Sequence, residues 1–230
     1  NSLPFDSSLN SSPFLPYTFT DSGPSMIFSD DPEYLKSEGI CCQETVGKGT
    51  VRLYLYNVNA STTNFFKFAI ILKNLSTETE RVTIVKQGTQ KPGKDYANIG
   101  RKSLLEFYKS KLNNTFLIDP QHSELLDPSF EFAMVSYDGL AHGFYEFYCS
   151  QSTQITLCGL NWYADTLKTY ESLSILKDNG KNAGRGLYRN TNRQFVISNP
   201  VDTKDGVQKI RLADGKIDTF HPFCKNRGRA

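Results

Sequence analysis

Alternation of apolar and polar residues dominates this chain. From Val51 to Val58, the residues Val51, Leu53 and Leu55 share one face while Arg52, Tyr54 and Tyr56 share the other, the period of two that marks a half-buried strand. Runs of the same kind follow at Phe65 to Asn74 and Arg81 to Gln87, with Asn, Ser and Thr between them. The three runs predict consecutive strands of an antiparallel meander. Its core would hold Leu53, Leu55, Phe66, Phe68, Ile70, Leu72, Val82 and Ile84. A short strand is expected earlier, at Ser25 to Ser29, ending in a turn at Asp30, Asp31 and Pro32. Beyond Asn113 the pattern returns at Phe130 to Tyr137, Gly143 to Cys149 and Ile155 to Trp162, with Asp138 and Gly139 as the turn of the first hairpin. Further strands are expected at Tyr170 to Leu176, Gly184 to Tyr188, Gln194 to Ser198 and Val207 to Leu212.

The period changes only between Ile99 and Leu112. There Leu104, Leu105, Tyr108 and Leu112 recur at three- and four-residue spacing, which predicts a helix with that face packed on a sheet. Many strands and one helix give a mainly β fold, an antiparallel β-sandwich with one packed α-helix. Residues 1–24, rich in Ser and holding four of the ten prolines, read as an extended N-terminal arm. Residues 25–213 form the sandwich domain and 214–230 a basic C-terminal segment.

Composition narrows the partners. Hydrophobic residues are 38% and charged residues 22% of the 230, a globular balance, and no apolar run approaches the roughly 18 residues of a membrane span. Asn1 to Asp21 lacks the basic start and apolar stretch of a signal peptide, so the chain is expected to begin at a mature or trimmed end. Residues 1–50 carry a net charge of −5 and residues 177–230 one of +7, so the basic stretch is a candidate surface for an anionic polymer or an acidic partner, with a solvated loop-rich surface, or the two ends lying against each other, as the plainer reading. The basic stretch includes Arg185, Arg189, Arg193, Lys209 and Arg211. With a total of only +2 and no recognised binding module, nucleic acid is not an expected partner.

The reactive side chains form no motif that commits the chain to a reaction. The five cysteines show no CxxC spacing. Cys149 and Cys158 are expected at the ends of neighbouring strands, within about 7 Å of each other, as a disulfide in an oxidising compartment or as buried thiols. Cys224 is expected to be unpaired, and one of Cys41 and Cys42 to be in the core. His122, His142 and His221 have no paired spacing, so neither a metal nor a cofactor is predicted. Cys149 and His142 would face opposite sides of one regular strand, which counts against a nucleophile pair. Glu131 and Glu146 are the candidate carboxylate pair for glycoside hydrolysis, although exposed positions on a hairpin are the plainer reading. The loop GTQKPGKD brings Gly88, Lys91, Lys94, Arg101 and Lys102 toward a helix N-terminus, making Lys94, Arg101 and Lys102 a candidate anion site. Tyr54, Tyr56, Trp162 and Tyr163 are the candidate ligand-binding residues, since rings on a sheet stack on sugars or anchor a protein partner. They form one surface only if their strands share a sheet. The four Asn-x-Ser/Thr sequons, at Asn10, Asn59, Asn74 and Asn113, are no more than this composition yields by chance.

Three segments carry a family resemblance: MIFSDDPEYLKSEGICCQETVGKGTVRLYLYNVN, then ILKNLSTETERVTIVKQGTQKPGKDYANIGRKSLLEFYKS, then GKNAGRGLYRNTNRQF. In that order, between Met26 and Phe195, they resemble a group of secreted bacterial proteins of unassigned function. In that group such a β-rich segment accompanies a copper-amine-oxidase-type N-terminal domain. The carriers are a DxPEY turn, an LKN turn, a Gly-rich loop feeding a GRKSLLEF helix, and a GRGLY strand; none is catalytic. The GICC piece and the basic ending after Lys209 depart from the pattern. The resemblance implies an extracytoplasmic β-sandwich and supplies no copper. The expectation is a secreted binding or structural module of the bacterial cell envelope, with an envelope glycan or protein as partner. The alternative is a hydrolase of a cell-wall or sugar polymer acting through paired carboxylates.

Overall fold

The computed structural model describes residues 14–177 and 184–197. In chain order the elements are β1 (Tyr17–Ser22), β2 (Ser25–Ser29), β3 (Tyr34–Leu35), β4 (Gly39–Val46), β5 (Gly49–Asn59), β6 (Phe66–Asn74) and β7 (Glu80–Thr89). Then come α1 (Tyr96–Lys109), β8 (Asn114–Ile118), β9 (Ser123–Leu125), α2 (Pro128–Glu131), β10 (Gly139–Cys149), β11 (Thr153–Asn161), α3 (Thr166–Thr169), β12 (Arg185–Tyr188) and β13 (Asn192–Ile197). A seven-stranded sheet runs β12-β2-β5-β10-β7-β8, with β3 also paired to β5. It packs on a four-stranded sheet, β4-β11-β6-β9, and β1 with β13 forms a separate ribbon. The pairings are antiparallel except for β2 and β3, which run parallel to β5.

The eight residues expected in the core are all buried in one cluster. They reach it from both sheets: Leu53, Leu55, Val82 and Ile84 from the seven-stranded sheet, Phe66, Phe68, Ile70 and Leu72 from the four-stranded one. The expected meander is therefore not formed. β5 and β7 flank β10, while β6 between them in sequence lies in the opposite sheet, paired with β11. A period of two tells that one face of a strand is buried and says nothing of its hydrogen-bonded neighbour. β6 is buried on its other face as well, where Ala69 and Ile71 pack with Cys158, Leu160 and Tyr170.

Three further expectations are corrected. Helix α1 starts and ends about three residues early, and it buries Ile99 and Ser103 rather than Leu104, Leu105 and Tyr108, which are exposed. The contact is made at small residues because α1 lies directly on Gly88 of β7. Phe130 to Tyr137 is not a hairpin strand: the Asp127 carboxylate accepts from the Ser129 and Phe130 amides and caps α2, and Val135 makes an isolated bridge to Phe66. Glu131 and Glu146 are consequently not cross-strand neighbours. Finally, Cys149 and Cys158 lie in different sheets, one paired with Gly49 and Val82, the other with Ile40 and Ala69. Cys149 faces the inter-sheet core and Cys158 the second cluster, so they cannot bridge. Cys41, Cys42, Cys149 and Cys158 are all buried.

In place of a strand at Tyr170 to Leu176 there is a 3-10 turn over Tyr170–Ser172 and a single bridge from Ile175 to Ile40. Part of the expected arm is ordered sheet. β1 pairs with β13 from Tyr17 opposite Ile197 to Ser22 opposite Asn192. Arg193 Nε and Nη2 donate to the two Asp21 oxygens at 2.7 and 2.8 Å, so the acidic and basic ends do meet there. The strand expected at Val207 to Leu212, His221, Cys224, Lys209, Arg211 and the basic segment 214–230 lie outside the described residues. The sequon asparagines Asn59 and Asn74 are fully buried and donate to backbone carbonyls, Asn74 to those of Glu78, Ile118 and Asp119. They are loop staples rather than surface acceptors.

Candidate binding site

The alternation of β5 puts Leu53 and Leu55 in the core and therefore turns Arg52, Tyr54 and Tyr56 to the outer face of the seven-stranded sheet. Register then decides their company. Arg52, Tyr54 and Tyr56 stand opposite Glu146, Phe144 and His142 of β10, and on the other side Arg52 and Tyr54 stand beside Met26 and Phe28 of β2. Lys86 of β7 is opposite Glu146. Helix α1 packs on β7 and β10, held by Asp95 at its N-terminus, whose carboxylate accepts from the Asn98 amide. The outer face over β2 and β5 is left to partly exposed side chains.

Two surfaces result. One is aromatic: Phe28 and Tyr54 are stacked with centroids 4.5 Å apart, and Tyr56 continues the row nearly parallel to Tyr54 at 6.3 Å. His142 meets Tyr54, Tyr56 and Phe144 edge-on at 5.0 to 5.6 Å. It is 2% exposed, its Nδ1 has no hydrogen-bond partner, and burial pulls its pKa down from 6.5 to about 4. At the end of β2, Asp30 has a buried Oδ1 without a partner. Burial, reinforced by the charges of Glu33 and Asp31, raises its pKa from 3.8 to about 7. The Tyr54 hydroxyl is pushed upward by burial and then by the Asp30 charge.

The other surface is a trough of about 350 Å³ between α1 and β2, with Met26, Leu104, Phe107, Tyr108 and Phe144 along it and Arg52 and Lys86 beside them. Met26 also borders an adjoining apolar notch of about 300 Å³ with Phe28, Tyr188 and Thr191. Arg52 Nε donates to Glu146 at 2.6 Å and Nη1 to Asn192 at 2.5 Å, which holds the guanidinium across the trough floor. The Lys86 ammonium lies 5.5 Å from the Phe107 ring centre.

The four candidate rings are not brought together. Tyr54 and Tyr56 belong to this face, whereas Trp162 and Tyr163 follow β11 of the opposite sheet, Trp162 against Phe132 and Tyr163 at 87% exposure. The candidate anion site is also dispersed. Lys94 sits 3.7 Å from Asp138 and over the Tyr137 ring, Arg101 donates to Asn98, Lys102 is exposed, and the Asp95 carboxylate already occupies the helix end. Of the carboxylates, Glu146 pairs with Arg52 on this face, and Glu131 pairs with Lys67 of β6 at 2.6 Å and accepts from the Thr166 hydroxyl at 2.6 Å. They serve different sheets. Among the described residues no three His, Cys, Asp or Glu side chains are grouped to hold a metal.

The sequence reading missed Met26, Phe28, Lys86 and Tyr108. They come from β2, β7 and α1, and only the parallel pairing of β2 with β5 and the seat of α1 on Gly88 put them beside Tyr54. No family model matches the sequence, and no curated protein or solved structure proves similar to it.

Proposed function

We propose that the protein is a binding module of the bacterial cell envelope that takes its ligand on the outer face of the seven-stranded sheet. The observation that carries the reading is the trough beside Arg52 and Lys86, a concave apolar surface with a few polar groups of the kind that holds small ligands. The envelope setting rests on the resemblance of the segments between Met26 and Phe195. Hydrolysis by paired carboxylates gains no support: Glu131 and Glu146 serve different sheets, and each is held by a cation at 2.6 Å instead of facing the other across a cleft.

The test is binding of the purified chain to an array of envelope glycans, peptides and acylated envelope molecules. Tyr108, 70% exposed on α1, and Tyr163, 87% exposed beyond β11, allow paired surface variants that leave the core alone. Binding that is lost in Tyr108→Glu and kept in Tyr163→Glu supports the reading. No binding, or the reverse dependence, overturns it.

A further inference from the structure

We infer that the ligand of the trough is a single-chain amphiphile with an acidic head: an acyl or aryl body carrying one carboxylate or a similar anion. This rests on the outer face being the binding face and assigns the chemistry it takes. The body is set by the lining. Met26, Leu104, Phe107, Tyr108 and Phe144 present methyls and rings, and Leu104 and Tyr108 are 37% and 70% exposed although they stand on the apolar side of a helix. Covering such groups with another apolar surface is favourable in proportion to the area removed from water.

The head is set by two donors that the protein leaves unmatched. Lys86 is partly buried, has no carboxylate within ion-pair distance among the described residues, and its ammonium lies over the face of Phe107. Arg52 commits Nε to Glu146 and Nη1 to Asn192, and its Nη2 makes no hydrogen bond among the described residues. Glu146, the acid nearest to both, is spent on Arg52. The rim therefore offers one surplus positive charge and free N–H donors next to an apolar floor. A carboxylate satisfies both donors by charge-assisted hydrogen bonds, a neutral head satisfies them poorly, and a cationic head is repelled. The adjoining notch formed by Met26, Phe28, Tyr188 and Thr191 continues the apolar path away from Lys86, which fits a tail leading off from the head.

The experiment compares decanoate, decanol and decyltrimethylammonium, each below its micelle concentration, by titration calorimetry on the whole chain. The expected result is measurable binding of decanoate, at least tenfold weaker binding of decanol, and none of decyltrimethylammonium. Lys86→Met removes the ammonium while keeping an unbranched apolar side chain and should bring decanoate down to the decanol level, while Lys86→Arg should retain the preference. Leu104→Ser should weaken decanoate and decanol alike, and thermal melts of all variants establish that they fold. Equal affinity for decanoate and decanol, or a preference untouched by Lys86→Met, overturns the acid assignment. So does binding seen only with acidic phospholipid vesicles and not with free decanoate. If decanoate fails while array binding that depends on Tyr108 persists, the acid assignment falls and the binding face stands; decanoate binding insensitive to both Lys86→Met and Leu104→Ser removes both.

Discussion

Gly88 of β7 and Ser103 of α1 are in backbone contact: a Cβ on Gly88 would lie 2.0 Å from the Ser103 carbonyl oxygen and 2.5 Å from the Phe107 amide nitrogen. The helix thus rests on the strand itself, and this contact fixes where Leu104, Phe107 and Tyr108 stand over the sheet. The Ser103 hydroxyl, buried in the same contact, donates to the Ile99 carbonyl at 2.9 Å and so needs no other partner.

Gly88→Ala should therefore be costly out of proportion to one methyl group. Backbone atoms cannot rotate away as a side chain can, so α1 must shift, at a cost of about 1 to 3 kcal/mol or more. Urea denaturation checks the loss of stability. The same variant should weaken ligand binding at the trough, whereas Gly47→Ala, with open space around the added atom, should alter neither.

Much of the fold was legible because burial imposes local periodicity. The eight alternating residues from Leu53 to Ile84 identified the core correctly, since a strand with one apolar face has only one way to turn it. Partner choice was not legible. Nothing local distinguishes β6 paired with β11 from β6 paired with β5, and the hairpin expected between Phe130 and Cys149 gave way to α2, which Asp127 caps and Pro128 starts. Helix α1 was found but its buried face was misassigned, because Leu104, Leu105 and Tyr108 carry the apolar signal while a glycine-lined seat selects Ile99 and Ser103. Of the candidate rings only Tyr54 and Tyr56 stand together, because they share one strand, and their link to Trp162 and Tyr163 required a sheet assignment that only tertiary structure makes.

The thiols give a second prediction. Burial raises Cys41 and Cys149 to about 12 and pushes Cys158 strongly upward, so little thiolate exists at neutral pH, and Cys42 is only 4% exposed. In native protein at pH 8, iodoacetamide should leave Cys41, Cys42, Cys149 and Cys158 unlabelled, and all four should label in 6 M guanidinium. Mass spectrometry of tryptic peptides reads the result, and no peptide linking Cys149 to Cys158 should appear under oxidising conditions.

Two groups on the outer face, the partly buried Asp30 and the buried His142, should give opposing pH dependences. Asp30 is raised from 3.8 to about 7, so the stability it contributes is fully present below pH 3.8 and is lost as pH rises through about 7. His142 is lowered from 6.5 to about 4, so its contribution is present above pH 6.5 and is lost as pH falls through about 4. Between about pH 4 and 6.5 the two slopes offset each other in the wild type. Asp30→Asn should leave a stability that rises with pH across that window, and His142→Phe one that falls. Melting temperatures measured at half-unit intervals check the signs, and parallel profiles for the two variants would contradict this assignment.

The chain holds two methionines, Met26 in the trough and Met134, 51% exposed beside the Val135 bridge to the four-stranded sheet. Methyl-labelled methionine therefore reports separately on the proposed face and on a site away from it. Titration with decanoate, followed in a two-dimensional proton–carbon spectrum, should move the Met26 methyl resonance in a saturable way and leave Met134 in place, with the Met26 shift in Lys86→Met needing at least tenfold more decanoate to reach the same extent. A saturable shift at Met134 with Met26 unmoved would contradict the claim that the outer face of the seven-stranded sheet is the binding surface.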